Sequence, residues 1–327
     1  MSAALESAGV RPGDLVLVAC SGGQDSLALA IAAAFVGKRD GIRVGAIVVD
    51  HQLQAGSEQV ATRAATHCRE LGLQPVEVRS VEVKPSGEGL EAAAREARYR
   101  ALASARQDLG AKFVLLGHTL DDQAETVLLA LSRGSGIHSI SGMNPRHEHI
   151  LRPMLAVTRV ETAAVCESAG LYPWHDPHNS DSRFARVRIR NIALPLLERE
   201  LGPGIAVSLA RTAELARADD AELFAQAQTA LDEFAVREND LTRLAVARLE
   251  VIARPIASRV IILALLELGC AATYAHISST LALVSNWHGQ QPLNLPGVKV
   301  ERAGDDLVLQ AFARPLTSQD NVEQLER

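Results

Sequence analysis

Short apolar runs alternate with helical stretches along the first part of this chain, and that alternation leaves few folds open. Strands are predicted at residues 15–20, 43–50, 76–83 and 112–117. Helices are predicted at residues 24–37, 57–71, 88–109 and 121–133. The first, second and fourth strands are almost continuously apolar, which is typical of strands that helices cover on both faces. The pattern therefore predicts an α/β fold built on a doubly wound, mainly parallel sheet.

The second part of the sequence has a different, helical character. Helices are predicted at residues 204–236, 241–252, 255–268 and 273–286. Residues 291–312 then alternate between apolar and polar and turn near Pro296 and Gly304, as a small hairpin would. We therefore predict an α/β domain over residues 1–215, a mostly helical domain ending in a hairpin over 216–313, and a loose tail over 314–327.

The hexapeptide SGGQDS at residues 21–26 joins the first predicted strand to the first predicted helix. Its two glycines let the backbone turn tightly, and the following helix offers unpaired N–H groups, so the segment predicts an anion site. Ser21 and Ser26 add hydroxyl donors, whereas the lysine of the commonest phosphate-binding loop is absent. Asp25 would repel phosphates unless a cation lay between them, which favours Mg²⁺ at Asp25. The alternative is that Asp25 only favours the start of a helix.

Acidic residues follow the fourth predicted strand in the segment GHTLDDQAET at 117–126. Asp122 and Glu125 are three residues apart and share one face of a helix. Such paired carboxylates can hold Mg²⁺, bind a cationic substrate or accept a proton from an attacking amine. The alternative is that they favour the helix start and point into solvent. Asp50 and His118 also follow strands and are expected at the same edge of the sheet, where His118 would contact a nucleotide or make a structural hydrogen bond.

Basic residues cluster in two places although the formal net charge is −6. A negative net charge is not typical of a nucleic-acid-binding protein, so local clusters of basic residues are more informative than the net charge of the chain. Residues 182–190 contain four arginines, and a predicted helix places Arg95 and Arg98 three residues apart, where they could converge on phosphate. The alternative for both clusters is an ordinary solvated surface.

The spacing of the cysteines and the length of the apolar runs indicate the cellular location of the protein. The four cysteines are scattered and form no C-x-x-C pair, which argues against a disulfide framework, a zinc site and an iron–sulfur cluster. The longest apolar runs fall short of the ~18 residues that span a bilayer. We therefore expect a cytoplasmic protein without a membrane partner.

Seven segments of the sequence together resemble one enzyme family. They are SGGQDS (21–26), VDHQL (49–53), AREARY (94–99), GHTLDDQAET (117–126), RGSGIHSISGM (133–143), LRPML (151–155) and FARVRIR (184–190). The first is similar to the signature of the PP-loop ATP pyrophosphatases, and the whole series resembles the bacterial tRNA(Ile)-lysidine synthetases. Two residues depart from that family, because Gln54 and His178 stand where arginine and serine are usual.

The resemblance implies a two-step ligase. ATP would adenylate the C2 oxygen of the wobble cytidine of tRNA(Ile) with a CAU anticodon, releasing pyrophosphate. The ε-amine of free L-lysine would then displace AMP and form lysidine. The catalytic residues would be Asp25, Asp122 and Glu125, with Mg²⁺ at Asp25. ATP would contact Ser21, Gly22, Gly23, Gln24, Asp25, Ser26, Asp50 and His118, and tRNA or cytidine would contact Arg95, Arg186, Arg188 and Arg190.

The resemblance also gives the predicted domains their roles and leaves alternatives open. Residues 1–215 would be the ATP-dependent catalytic domain and residues 216–313 a tRNA-contacting domain, and a homodimer is an open option. Another PP-loop tRNA-modifying enzyme, such as a thiolase, would usually need paired or catalytic cysteines. A non-catalytic, nucleotide-dependent RNA-binding module would leave Asp122 and Glu125 without a role.

Overall fold

The structure is a computed structural model that describes residues 1–52, 56–83, 90–134, 136–174 and 181–312. It divides into two compact units, Met1–Glu214 and Leu215–Arg327. Gln54, His178 and the predicted tail over 314–327 lie outside the described residues.

Within the described part of the first unit, six strands form one sheet. They are β1 (Leu15–Ala19), β2 (Arg43–Asp50), β3 (Val76–Ser80), β4 (Phe113–Leu115), β5 (Arg146–His147) and β6 (Ile150–Leu151). Their order is β3-β2-β1-β4-β6-β5, and every neighbouring pair is parallel except β5 with β6. The predicted doubly wound, mainly parallel sheet is confirmed.

Helices cover both faces of this sheet. They are α1 (Ser2–Ser7), α2 (Gln24–Asp40), α3 (Ser57–Glu70), α4 (Leu90–Asp108), α5 (Leu120–Ser132), α6 (Ile137–Ile140), α7 (Arg159–Ser168), α8 (Ala185–Arg188), a π-helical turn (Ile189–Ala193) and α9 (Leu194–Leu201). Strand β1 shows why its sequence is continuously apolar. Val16 and Val18 belong to one buried cluster, and Leu17, on the opposite face, belongs to another.

The strand order reverses at β1, and this reversal positions the site. The chain passes from β1 outward through β2 and β3 and then returns to the other side of β1 as β4. The carboxyl ends of β1 and β4 are therefore neighbours, with Val18 paired to Leu115. A Cβ added to Gly117 would lie 3.0 Å from the Asp25 carbonyl oxygen, so a glycine after β4 allows the two loops to approach closely. Ligands of such sheets bind at this kind of switch point.

The described part of the second unit combines helices with a five-stranded antiparallel sheet. Its elements are α10 (Ile205–Phe234, within which the division between the units falls), β7 (Ala235–Glu238), β8 (Leu241–Ala245), α11 (Val246–Val251), α12 (Arg254–Glu267), α13 (Tyr274–Ser285), β9 (Leu293–Leu295), β10 (Val298–Ala303) and β11 (Asp306–Ala311). The sheet order is β7-β8-β11-β10-β9, and the predicted hairpin is present as β10 and β11.

The predicted helix over 241–252 is wrong in its first half, where β8 lies instead. Asn239 has a positive φ of 47°, which turns the chain between β7 and β8. Thr242 and Leu244 then alternate into the core, as strand residues do. Only the second half of the predicted helix forms, as α11. Across the described ranges of both units, no helix is long and apolar enough to cross a membrane.

Candidate active site

The SGGQDS segment forms a compact loop between β1 and α2. Gly22 has a φ of +80°, and Gly23 is the N-cap of α2 without a side-chain capping bond. The Ser26 hydroxyl organises the loop, because it donates to the Gly23 carbonyl at 2.9 Å and accepts from the Ser21 N–H at 3.1 Å. The N–H groups at the start of α2 are thus left without a side-chain cap, as an anion site requires.

Asp25 lies in the first turn of α2 and is partly buried. Its Oδ1 accepts from the Thr162 hydroxyl at 2.6 Å, and its Oδ2 lies 3.6 Å from Arg159 Nε. Burial raises the pKa of the Asp25 carboxyl, and the Thr162 hydrogen bond and the Arg159 charge oppose that rise. Asp25 therefore does more than favour a helix start, because its carboxylate faces residues of a distant segment.

Asp122 and Glu125 do not point into solvent. Asp122 is 9% exposed and Glu125 is 0% exposed. Asp122 is also the N3 residue of a capping box, in which its Oδ2 accepts from the Thr119 N–H at 2.9 Å. The helix-start interpretation is therefore partly right for Asp122, while its Oδ1 remains directed toward arginines.

Three arginines surround the Glu125 carboxylate. Oε1 accepts from Arg159 Nη1 at 2.8 Å and from Arg190 Nε at 2.7 Å. Oε2 accepts from Arg186 Nε at 3.0 Å and from Arg190 Nη2 at 3.1 Å. Arg186 precedes the π-helical turn and Arg190 lies within it, and π turns often mark functional positions. The predicted cytidine-binding residues Arg186 and Arg190 are thus brought directly onto the predicted catalytic carboxylates.

Arg159 was not predicted from the sequence, and it joins the two halves of the site. Its Nη2 donates to Asp122 Oδ1 at 2.5 Å, in addition to its contacts with Glu125 and Asp25. Burial acts to lower the pKa of the Arg159 guanidinium, but the charges of Asp122 and Glu125 outweigh it and the pKa is raised. A sequence signal for the helix existed, because Thr158 and Glu161 form a capping box at the start of α7. No signal marks the direction of the Arg159 side chain.

Asp50 and His118 lie at the same edge of the sheet but in different surroundings. Asp50 is buried and its Oδ1 accepts from the Gln52 N–H at 3.0 Å, so it shapes the turn after β2. Burial and the charges of nearby arginines, Arg152 first among them, hold the pKa of His118 well below its usual range. His118 is therefore neutral at pH 7, and within the described residues its buried Nδ1 has no hydrogen-bond partner.

The two remaining predicted tRNA contacts, Arg95 and Arg188, make hydrogen bonds to nearby residues of their own segments. Arg95 Nη2 donates to the Tyr99 hydroxyl at 3.2 Å, and its guanidinium lies over the Tyr99 ring. Arg188 is exposed and donates to the carbonyls of Ser182 and Arg183, both at 2.8 Å. Their predicted contact with RNA stays a prediction.

The switch point, the glycine loop after β1 and the uncapped start of α2 define a PP-loop nucleotide-binding domain, and the family model described as a PP-loop domain matches residues 3–197. Among curated relatives, the tRNA(Ile)-lysidine synthase of Leifsonia xyli subsp. xyli is 50% identical over 296 residues, covering 90% of this chain and 89% of the relative. The synthases of Salinispora tropica and Thermobifida fusca are 49% and 47% identical, with 86% and 91% of each chain covered. The chain belongs to the tRNA(Ile)-lysidine synthase family.

A solved structure shares the fold at low sequence identity. The U34-tRNA thiolase NcsA from Methanococcus maripaludis, solved with its 4Fe–4S cluster, aligns with a TM-score of 0.52 and 18% identity. The alignment covers 66% of this chain and 79% of the thiolase. In the described residues of this chain, no group of three or more His, Cys, Asp or Glu side chains could hold a metal ion, and all four cysteines are free.

Proposed function

We infer that this chain is an ATP-dependent ligase that joins lysine to C2 of the wobble cytidine of tRNA(Ile) with a CAU anticodon. The observation that carries this inference is the meeting of an ATP loop with two buried carboxylates at one switch point, in a chain about 50% identical to named tRNA(Ile)-lysidine synthases. A non-catalytic RNA-binding module would need the loop but would have no chemical use for the Asp122 carboxylate beside it. A thiolase is supported less, because only the fold connects this chain to one.

The first step needs a carbonyl oxygen to become a leaving group. Adenylation achieves this, because AMP departs more readily than the oxygen itself, and ATP must therefore be held with its charge neutralised. We propose that the N–H groups at the start of α2 and the hydroxyls of Ser21 and Ser26 hold the phosphates. His118, neutral and with a buried Nδ1 that lacks a partner among the described residues, is suited to contact the nucleotide or base without adding charge.

Mg²⁺ fits this site as a partner of ATP rather than as a metal held by the protein alone. Mg²⁺ commonly binds one or two carboxylates together with substrate phosphates, so one carboxylate suffices. Asp25 supplies it, since among the described residues its Oδ2 lies 3.6 Å from Arg159 Nε, while its Oδ1 accepts a hydrogen bond from Thr162. The bound ion would neutralise the phosphates.

The second step needs a neutral lysine amine beside C2. Among the described residues, the carboxylates of Asp25, Asp122 and Glu125 face the guanidinium groups of three arginines, which are Arg159, Arg186 and Arg190. We propose that the lysine ammonium reaches Asp122 by displacing Arg190, whose Nη2 lies 3.5 Å from Asp122 Oδ1, because the Glu125 oxygens already accept four hydrogen bonds. Asp122 is then the better candidate for the base that frees the amine, and Glu125 anchors the arginines.

The remaining assignments concern partners and location. We propose that Arg95 and Arg188 contribute to RNA binding, with the second unit supplying further contacts. A cytoplasmic location follows from the tRNA substrate and agrees with four free cysteines. A homodimer stays a prediction.

The test combines the protein with ATP, Mg²⁺, labelled lysine and a tRNA(Ile) transcript carrying a CAU anticodon. We expect incorporation of lysine, together with one AMP and one pyrophosphate for each lysine. The same transcript with uridine at the wobble position is the control, and it should accept none. Absence of incorporation with the CAU transcript would refute the function, and pyrophosphate release without incorporation would indicate a different nucleophile.

A further inference from the structure

The first turn of α7 contacts both the ATP loop and the acceptor carboxylates. The capping box of Thr158 and Glu161 fixes this turn, with a Glu161 oxygen accepting from the Thr158 N–H at 2.7 Å. Helix α7 also packs along α2, the helix that follows the loop. A turn held at its start and along its length is a rigid place from which to position other groups.

Arg159 uses three different groups to make these contacts. Its backbone N–H donates to Asp121 Oδ2 at 2.8 Å, and its carbonyl accepts from Gln24 Nε2 at 2.8 Å. Its guanidinium reaches Asp122 and Glu125, as described above. Arg159 therefore makes three hydrogen bonds to α5 and one to the ATP loop.

Thr162, one turn later, contacts two residues of the ATP loop and also the Arg159 carbonyl, which lies 2.9 Å from its hydroxyl. It is 1% exposed, and its hydroxyl donates to Asp25 Oδ1 at 2.6 Å while accepting from Gln24 Nε2 at 2.9 Å. Both hydrogen-bonding directions of the hydroxyl are thus used to hold adjacent residues of the loop.

We propose that Arg159 and Thr162 are positioning residues that fix the ATP loop relative to the acceptor carboxylates, so that adenylation and lysine transfer remain coupled. This inference rests on the proposed function. The adenylated cytidine is an activated species that water can also attack, so lysine must be aligned when the adenylate forms. A shift of about 1 Å between the two groups is enough to reduce such alignment severely.

The test of Arg159 measures lysine incorporated per pyrophosphate released. In Arg159→Gln we expect this ratio to fall about tenfold or more, as for the loss of one charged hydrogen bond. Arg159→Lys keeps the positive charge but lacks the planar guanidinium that can donate to two carboxylates at once. Its ratio of lysine to pyrophosphate should therefore lie between those of Arg159→Gln and the wild type. Arg39→Gln is the matched control, because Arg39 is an exposed residue near the end of α2 that pairs with Asp40, and it should keep the wild-type ratio.

The outcomes separate this inference from the proposed function. If the wild type incorporates no lysine, the proposed function fails and the inference falls with it. If the wild type is active and Arg159→Gln loses both steps in proportion, with the ratio unchanged, the coupling role of Arg159 is overturned and the function stands.

Thr162 gives a second test that does not require removing a charge. Thr162→Val preserves shape, removes the donor to Asp25 and should slow pyrophosphate release about tenfold. The ratio of lysine incorporated to pyrophosphate released should fall as well, because Asp25 loses the hydrogen bond that orients it. Thr162→Ser, which keeps the hydroxyl, should restore both the rate and the ratio. A Thr162→Val enzyme with wild-type rate and ratio would overturn the role of Thr162.

Discussion

Asp122 has both a structural role, as a cap of α5, and a proposed chemical role as the base. One carboxylate oxygen closes the capping box of α5, and the other faces Arg159 and Arg190. We predict that Asp122→Asn abolishes lysine transfer while ATP binding survives, because an amide can still accept from Thr119 but cannot act as a base. Lysine incorporation and equilibrium binding of ATP measure the two effects. Asp108→Asn, a change at an exposed ion-paired residue, is the control, and near-normal turnover of Asp122→Asn would refute the role.

Glu125 has a structural role that its position in the motif does not reveal. It is fully buried and accepts hydrogen bonds from three arginines, so Glu125→Gln leaves a local excess of positive charge. We predict a loss of roughly 2–3 kcal/mol in the free energy of unfolding, below the usual cost for a buried pair because the arginines remain partly exposed. Urea denaturation measures it. Glu200→Gln, at an exposed ion pair, should change little, and equal stability of the two variants would contradict this account.

Asp25 should make the stability of the protein depend on pH in an unusual direction. Burial raises the pKa of the Asp25 carboxyl above its ordinary value, so the folded state binds this proton more tightly than the unfolded state. Its contribution to stability is therefore present at low pH and is lost as the pH rises through the folded pKa. We predict that Asp25→Asn, compared with wild type, gains stability as the pH rises from about 4 to 7. Unfolding measured across this range without nucleotide tests the prediction, and a difference that shrinks would contradict it.

At the scale of a whole element, the N-terminal cap of α7 can be tested by mutation. Thr158→Ala removes the side-chain acceptor for the Glu161 N–H and should cost about 1 kcal/mol of stability. It should also lower the ratio of lysine incorporated to pyrophosphate released, because the turn that holds Arg159 loosens. Thr273→Ala removes the same kind of cap from α13 in the second unit and should lower stability without changing that ratio. Equal ratios in both variants would show that the start of α7 is not a positioning element.

The main strands and helices between residues 15 and 133 could be predicted because each has a strong local pattern. Strands β1, β2 and β4 are apolar runs buried on both faces, and the long helices between them show helical periodicity. The weaker elements were not predicted. Strands β5 and β6 have two residues each, which is too few to show any periodicity. Strand β8 immediately precedes α11, and the helical pattern of α11 led to a predicted helix that began too early and included β8.

The site as a whole could be predicted only in part, for a reason that belongs to the whole molecule. Asp25, Asp122 and Glu125 follow strands whose carboxyl ends meet, so their proximity follows from topology alone. Arg159 and Thr162 follow no long strand, and they reach the site because α7 packs against α2. Such a contact depends on tertiary packing, which no short motif encodes.

The central claim concerns one nucleotide, so the most direct measurement identifies the chemical product there. The tRNA(Ile) transcript with a CAU anticodon is treated with the protein, ATP, Mg²⁺ and lysine, then digested to nucleosides and examined by mass spectrometry. The account predicts that lysidine replaces cytidine at the wobble position and at no other cytidine. Unmodified wobble cytidine, or lysine attached elsewhere, would contradict it.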